Sequence, residues 1–255
     1  MSGQVYLVGS GPGDPDLITL KGYKKLLEAD SVFIDRLAPD ELLEDIDDET
    51  TVVDCGKQPH GHRLTQEEIN ETLLSHARED RTVVRLKGGD PMIFGRGGEE
   101  FRYLRDHGID VELIPGITAG TAVSSLLGVP LTDREVASEV TFLTGHEAPN
   151  KDADNLDWDC MANCRKTLVI YMGVSNMKTI TQRLVERGRP ADTPACVVER
   201  AYRNGQKIVQ GQLNTIYERA REENVDPPAV MLVGETVGQF RQRASSNPTT
   251  NEVAR

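Results

Sequence analysis

The feature that most constrains this chain is its opening segment. The apolar run Val5-Tyr6-Leu7-Val8 stops at Gly9-Ser10-Gly11-Pro12-Gly13-Asp14, and Leu17 to Ala29 continues with its leucines at helical spacing. Strand, loop and helix then alternate along the first half of the chain. Val32-Phe33-Ile34 reads as a second strand ending at Asp35-Arg36, and Thr51-Val52-Val53 as a third that runs into Gly56-Lys57. A helix from about Thr65 carries Gln66-Glu67-Glu68 in its first turn, where the helix dipole favours acid. Arg81 to Leu86 reads as strand, Lys87 to Gly98 as loop, Glu99 to His107 as helix and Val111 to Ile114 as strand. Such alternation predicts an α/β fold whose largely parallel sheet is covered on both faces, with ligands gathered at the carboxyl ends of the strands.

At Pro115-Gly116-Ile117-Thr118 the pattern breaks and restarts with a helix of small residues from Ala119 to Leu127. Further strands are expected at Val140 to Leu143, Thr167 to Met172, Ala195 to Val198 and Ala229 to Val233. A chain of 255 residues accommodates two compact α/β units at roughly 100 to 200 residues each. The expected division is 1–115 as an N-terminal domain, 116–243 as a C-terminal domain and 244–255 as a disordered tail. Glu147 to Asp159, polar and rich in turn formers, reads as a surface excursion.

Charge and cysteine content exclude several functions. A formal net charge of −12 argues against general affinity for nucleic acid, which is bound mainly by neutralising phosphates with lysine and arginine. No apolar run approaches the roughly 20 residues that a membrane helix needs, and the N-terminus lacks the features of a signal peptide, so a soluble cytoplasmic protein is expected. The acidic segments, with lysines few beside arginines, suit a protein kept hydrated in a salty cytoplasm. Cys55, Cys160, Cys164 and Cys196 lack metal-ligand spacing, and no metal is expected.

The first glycine loop invites a dinucleotide reading, with Asp35 near the position of a ribose-binding acid. The third glycine comes one position early. Pro12 also removes an N–H that a pyrophosphate cradle would use, and Asp14 adds like charge. The second loop, Lys87-Gly88-Gly89-Asp90-Pro91-Met92-Ile93-Phe94-Gly95-Arg96-Gly97-Gly98, allows close backbone approach and offers Asp90 as an acceptor. A sulfonium cofactor needs carbonyls and carboxylates around its charged groups and an apolar slot for its adenine. Ile93, Met172 and Ala201, each near an expected strand end, are candidates for that slot, with ordinary core as their alternative role.

These segments together resemble the tetrapyrrole methylases. The resemblance rests on Val8-Gly9-Ser10-Gly11-Pro12-Gly13-Asp14-Pro15, Asp35-Arg36-Leu37, Gly56-Lys57, Gln66 to Asn70 and the Gly88 to Glu100 loop. It continues through Pro115-Gly116-Ile117-Thr118-Ala119, Gly128 to Thr132, Thr144-Gly145-His146, Tyr171-Met172-Gly173 and Pro228-Ala229. The long loop succeeded by the Pro-Gly-Ile-Thr-Ala run is similar to the uroporphyrinogen-III C-methyltransferase branch. The resemblance implies a two-domain class III methyltransferase fold, a cofactor cleft between domains and a homodimer. It also implies transfer of two methyl groups from S-adenosylmethionine to uroporphyrinogen III, giving precorrin-2 and S-adenosylhomocysteine. By motif, Pro12, Gly88, Gly89, Asp90, Ile93, Thr118, Ala119, Met172 and Ala201 contact the cofactor. Asp35 matches the family's proton acceptor and Lys57 its donor.

The tetrapyrrole carries carboxylates around its rim, so an acidic protein must gather cations to hold it. Lys21, Arg36, Arg63 and Arg96 are the expected clamps, beside Lys57. Asp35 has a plainer reading as a turn former or a partner for Arg36. Gln58 departs from the arginine common after the Gly-Lys pair, and Thr65 replaces a frequent proline. Two other functions stay open on the sequence: methylation of a different acceptor, and a non-enzymatic cofactor-sensing module that needs neither Asp35 nor Lys57.

Overall fold

The structure, a computed structural model, describes residues 3–56, 64–79, 81–146, 156–163 and 165–239. Lys57, Gln58, Arg63, Cys164 and the expected tail at 244–255 lie outside the described residues. The chain divides into two compact units, Met1–Ala119 and Gly120–Arg255.

In the first unit, β1 (Gln4–Gly9), β2 (Ser31–Ile34), β3 (Thr51–Asp54), β4 (Thr82–Lys87) and β5 (Asp110–Ile114) form one sheet in the order β3-β2-β4-β1-β5. All its pairings are parallel, as the alternation predicts. Side chains of successive residues point to opposite faces, so each strand feeds two cores. Val5, Leu7, Phe33 and Val83 pack with Leu73 and Ala77 of α2 (Gln66–Arg78) and Leu104 of α3 (Gly97–Asp106). Tyr6, Val8, Val32, Ile34, Val84 and Leu86 pack with Leu26 of α1 (Leu20–Leu27) on the other face.

Local chemistry sets the helix starts. The expected helix from Leu17 is interrupted: Pro15–Leu17 is a short 3-10 turn, and α1 begins only after Thr19, whose hydroxyl accepts from the Gly22 amide at 3.2 Å. At α2, Thr65 and Glu68 form a reciprocal capping box, with Glu68 N to Thr65 Oγ1 at 3.2 Å and Thr65 N to Glu68 Oε2 at 2.7 Å. The residue that departs from the family's proline is thus a strong helix start.

The second unit departs from the pattern of the first. Its sheet has the order β6-β7-β10-β8-β9, built from β6 (Val140–Thr144), β7 (Thr167–Tyr171), β8 (Pro194–Glu199), β9 (Lys207–Gln212) and β10 (Ala229–Val233). Only β6 and β7 are parallel, while β10 runs antiparallel to β7 and β8, and β9 antiparallel to β8. Leu168, Ile170, Ala195, Val197, Met231 and Val233 bury one face under Ile180 and Leu184 of α6 (Met177–Glu186) and Ile216 of α7 (Ile216–Glu222). On the opposite face, α4 (Ala119–Leu127) comes so close that a Cβ on Gly120 would lie 2.6 Å from Val169 Cγ1. Two short helices, α5 (Trp158–Asn163) and α8 (Glu235–Gln239), complete the α-helices among the described residues, and α5 begins at the end of the expected surface excursion.

Candidate functional site

Three loops leave the carboxyl ends of the adjacent strands β4, β1 and β5, where ligands of parallel sheets gather. They lie backbone against backbone. Gly89 N donates to the Gly11 carbonyl at 2.7 Å and Gly11 N returns a bond to the Gly89 carbonyl at 3.2 Å. A Cβ on Gly9 would sit 2.5 Å from Gly116 N, and one on Gly116 would lie 2.7 Å from Gly9 Cα and overlap the Gly89 carbonyl oxygen. Glycine at 9 and 116 is therefore what lets the first and third loops touch. Asp90 locks the arrangement, its Oδ1 accepting from Met92 N at 2.8 Å and its Oδ2 from Gly116 N at 3.0 Å. Expected from the sequence as an acceptor for a ligand, Asp90 already accepts one backbone N–H on each oxygen.

Of the expected cofactor residues, Gly88, Gly89, Asp90, Thr118 and Ala119 come together in this unit. Gly89 has φ of +69°, and its missing side chain would point toward Thr118 Cα at 3.8 Å and Ala119 N at 3.9 Å. Gly88 packs on Leu37, so the Asp35-Arg36-Leu37 loop lies directly behind the second glycine loop. Pro12 is buried and Ile93 half-buried. In the second unit, Met172 directly follows β7 with φ of 53° and an exposed side chain. Ala201 is buried between Arg200 at φ 49° and Tyr202 at φ 60°. Left-handed backbone at three bulky residues is uncommon, and such strain concentrates where loops carry function. Glu199, buried beside this turn, holds it through Lys207 Nζ at 3.3 Å and Asp226 N at 3.1 Å.

Asp35, at the end of β2, is partnered by the Arg85 guanidinium at 3.9 Å and not by the neighbouring Arg36. Arg85 leads into a buried cluster that sequence reasoning missed. Arg85 and Lys87 share one face of β4 and are 2% and 3% exposed, and Glu100 of α3 is 0% exposed between them. Glu100 Oε1 accepts from Arg85 Nε at 3.2 Å, Lys87 Nζ at 3.0 Å and Gln66 Nε2 at 3.1 Å. Burial, then the Arg85 charge, pushes the Lys87 ammonium below the ordinary lysine range, and Glu100 works against that. Burial raises the nearby Cys55 thiol to about 11, with Arg85 opposing. The readable signal was two cations at i and i+2 inside an apolar strand, with an acid in the next helix.

The three expected cationic clamps among the described residues sit on different elements. Lys21 lies on α1 and pairs with Glu112, inside β5 rather than at its end. Arg96, at φ 58°, forms a fork with Glu99, Nε to Oε1 at 3.0 Å and Nη2 to Oε2 at 2.7 Å. Arg36 is exposed at the end of β2, packed at its backbone against Gly56. Lys57 and Arg63 fall outside the described residues.

Residues 4–217 match the family of tetrapyrrole (corrin/porphyrin) methylases. The chain is 44% identical to a uroporphyrinogen-III C-methyltransferase of Priestia megaterium, over 92% of this chain and 98% of that one. It is also 44% identical to an S-adenosyl-L-methionine-dependent uroporphyrinogen III methyltransferase of Methanosarcina barkeri, over 92% of each. Among solved structures, the uroporphyrin-III C-methyltransferase of Thermus thermophilus complexed with S-adenosylhomocysteine matches with a TM-score of 0.77 and 40% identity, over 93% of this chain and 100% of that one.

Proposed function

Because the chain belongs to the tetrapyrrole methylase family, we propose that it is a uroporphyrinogen-III C-methyltransferase, moving methyl groups from S-adenosylmethionine onto two ring carbons of uroporphyrinogen III. The observation that carries this reading is the glycine-on-glycine union of three motif loops at the carboxyl ends of β4, β1 and β5, in a chain so similar to such enzymes throughout its length.

The residues present fit the cofactor. A Cβ on Gly89 would stand in ordinary contact with Thr118 Cα at 3.8 Å and Ala119 N at 3.9 Å, so the bare backbone there allows a ligand to approach these loops closely. By their motifs we assign Pro12, Gly88, Gly89, Asp90, Ile93, Thr118, Ala119, Met172 and Ala201 to cofactor binding. When bound, the cofactor supplies an electrophilic methyl group on sulfur. The electron-rich macrocycle needs chiefly to be held in line with it, which well-placed loops accomplish. Methylation leaves a cationic ring that must lose a proton, and Asp35 is the proposed acceptor at its carboxylate. The counter-charge of Arg85 at 3.9 Å keeps that carboxylate oriented. Lys57 is the proposed proton donor.

Arg36, Arg63, Arg96 and Lys21 are proposed to bind the rim carboxylates of the substrate. Lys21 and Arg96 must first release Glu112 and Glu99. Exposed pairs of this kind are worth about 1 kcal/mol or less, so the exchange costs little. A cytoplasmic homodimer completes the proposal. Among the described residues, no helix is long and apolar enough to cross a membrane.

Anaerobic incubation with uroporphyrinogen III and methyl-labelled S-adenosylmethionine tests the function. The expected product carries two added methyl groups. Protein that binds S-adenosylhomocysteine yet leaves uroporphyrinogen III unmethylated would overturn the acceptor while leaving the family intact.

A further inference from the structure

Arg85 serves two carboxylates at once. Its Nε lies 3.2 Å from Glu100 Oε1, and its Nη2 lies 3.9 Å from Asp35 Oδ1. Its Nη1 is fixed by the Phe33 carbonyl at 3.2 Å. The buried Glu100 is the stronger competitor, because its charge is fully withdrawn from water whereas Asp35 remains partly solvated. Lys87 changes that competition. Its ammonium lies 3.0 Å from Glu100 Oε1 and 2.9 Å from Oε2, so the carboxylate is neutralised from a second side.

Among the described residues, the charged and titratable groups around this guanidinium are few. Asp35 comes from the end of β2, Cys55 from the end of β3, Lys87 from β4 and Glu100 from α3. The α2 side chain on Glu100 is the neutral Gln66, itself bonded to Asn70 at 3.0 Å. Arg85, Lys87 and Glu100 therefore share a buried site with the partly solvated Asp35 at its edge, and removing any one charge redistributes the remaining three.

We propose that Lys87 and Glu100 are positioning residues for methyl transfer: Lys87 neutralises Glu100 and thereby leaves the Arg85 guanidinium to orient Asp35 at the reacting ring. This rests on the proposed methyl transfer and on Asp35 as proton acceptor. Neither Lys87 nor Glu100 touches substrate or cofactor in this scheme. Without the lysine, Glu100 draws Arg85 to itself and Asp35 loses its counter-charge. Removing the Glu100 charge as well releases Arg85 again.

Lys87→Met, Glu100→Gln and the double variant of the full chain test this. The readouts are anaerobic methyl transfer to uroporphyrinogen III between pH 6 and 9, melting temperature and calorimetric binding of S-adenosylhomocysteine. Glu100 remains paired with Arg85 in Lys87→Met, so that variant is expected to fold and to bind S-adenosylhomocysteine within a factor of about two of the parent. Its kcat is expected to fall by about tenfold to a hundredfold, the scale of a misplaced catalytic group, with the acidic limb of the pH profile moved upward. Glu100→Gln, nearly isosteric, is expected to move that limb downward. The double variant is expected to recover most of the lost kcat. A double variant no faster than Lys87→Met, or both single variants moving the limb in the same direction, overturns the proposal and leaves the enzyme reading standing. If the parent binds S-adenosylhomocysteine but fails to methylate uroporphyrinogen III, the acceptor assignment falls and this proposal falls with it.

Discussion

The Asp90 carboxylate accepts the Gly116 amide at 3.0 Å, so a side chain in the second glycine loop holds the backbone of the third. Its other oxygen takes the Met92 amide of its own loop at 2.8 Å. One acid thus sets the turn it sits in and the distance to its neighbour. Charge-assisted bonds of this kind are worth about 1.5 to 3 kcal/mol each.

Asp90→Ala is therefore expected to lose S-adenosylhomocysteine affinity by more than tenfold and to melt several degrees lower. Asp90→Asn can still accept one of the two amides, while its NH2 group faces the other, and it is expected to fall between alanine and the parent. Calorimetry and thermal melting on the three proteins check the order. Equal affinity in all three would remove the carboxylate from the site's architecture.

Glycine substitutions separate steric demand from backbone strain. A Cβ at Gly116 would overlap backbone atoms of Gly89 and approach those of Gly9, and backbone cannot step aside. Gly116→Ala is expected to cost about 3 kcal/mol, at the upper end of ordinary overpacking, and to abolish cofactor binding. Gly108 has φ of +79° with nothing within 4 Å of a Cβ, so Gly108→Ala is expected to cost about 1 kcal/mol from left-handed strain alone. It should leave binding intact. Chemical denaturation of both variants, with S-adenosylhomocysteine titrations, makes the comparison.

How far the sequence revealed this molecule depended on where each signal came from. Short apolar runs such as Val5 to Val8 and Val32 to Ile34 marked strands of the first unit, because buried parallel strands are largely apolar, although β4 carries Arg85 and Lys87 among its apolar residues. The sheet of the second unit was less legible. Lys207-Ile208-Val209-Gln210-Gly211-Gln212 pairs only with β8 and exposes Ile208, so this edge strand lacks the apolar run that marked the others. Its antiparallel direction depends on a short turn, Arg200 to Gln206, whose geometry composition does not specify. Among site residues, the glycine loops were readable by their density. The partner of Asp35 was not, because Arg85 is distant in sequence and joins it only through the pairing of β2 with β4.

Thiol chemistry distinguishes the cysteines. Burial, only partly offset by Arg85, raises the Cys55 thiol to about 11, so at pH 8 only about one molecule in a thousand carries the reactive thiolate there. Cys160 is exposed on α5. Brief treatment of folded protein with iodoacetamide at pH 8, then peptide mass spectrometry, is expected to label Cys160 and leave Cys55 unmodified. Unfolding in denaturant is expected to make Cys55 reactive. Labelling of Cys55 at the Cys160 rate in native protein would contradict its burial.

The lowered Lys87 ammonium has a thermodynamic consequence on the alkaline side. Between its folded value and the ordinary unfolded value of about 10.4, the unfolded chain holds a proton that the folded protein has released. Unfolding then takes up a proton, so this group makes stability rise with pH across that window and fall as pH drops toward the folded value. Lys87→Met removes that proton linkage. Denaturation free energies between pH 8 and 10.5 are expected to show a less positive slope in the variant than in the parent. Taking the difference cancels the titration of the remaining lysines and tyrosines. An unchanged slope would mean that Lys87 titrates alike in both states.

Tyr171 constrains the start of α4. Its hydroxyl lies 2.8 Å from the Gly120 amide, one of the first-turn N–H groups of α4 that the helix itself leaves unsatisfied. Gly120 permits the approach, since a Cβ there would lie 2.5 Å from that hydroxyl. Met172, proposed to contact the cofactor, is the next residue along from Tyr171. Tyr171→Phe keeps the ring and its edge-on packing with Phe142, 6.0 Å between centroids, and removes only the hydroxyl. A loss of about 1 kcal/mol in stability is expected for the hydrogen bond. Because the bond fixes the start of α4, which opens at Ala119 directly after Thr118, the Michaelis constant for S-adenosylmethionine is expected to rise several-fold with kcat little changed. If kcat falls instead while the Michaelis constant holds, the hydroxyl acts on the reacting groups and not on the placement of the helix.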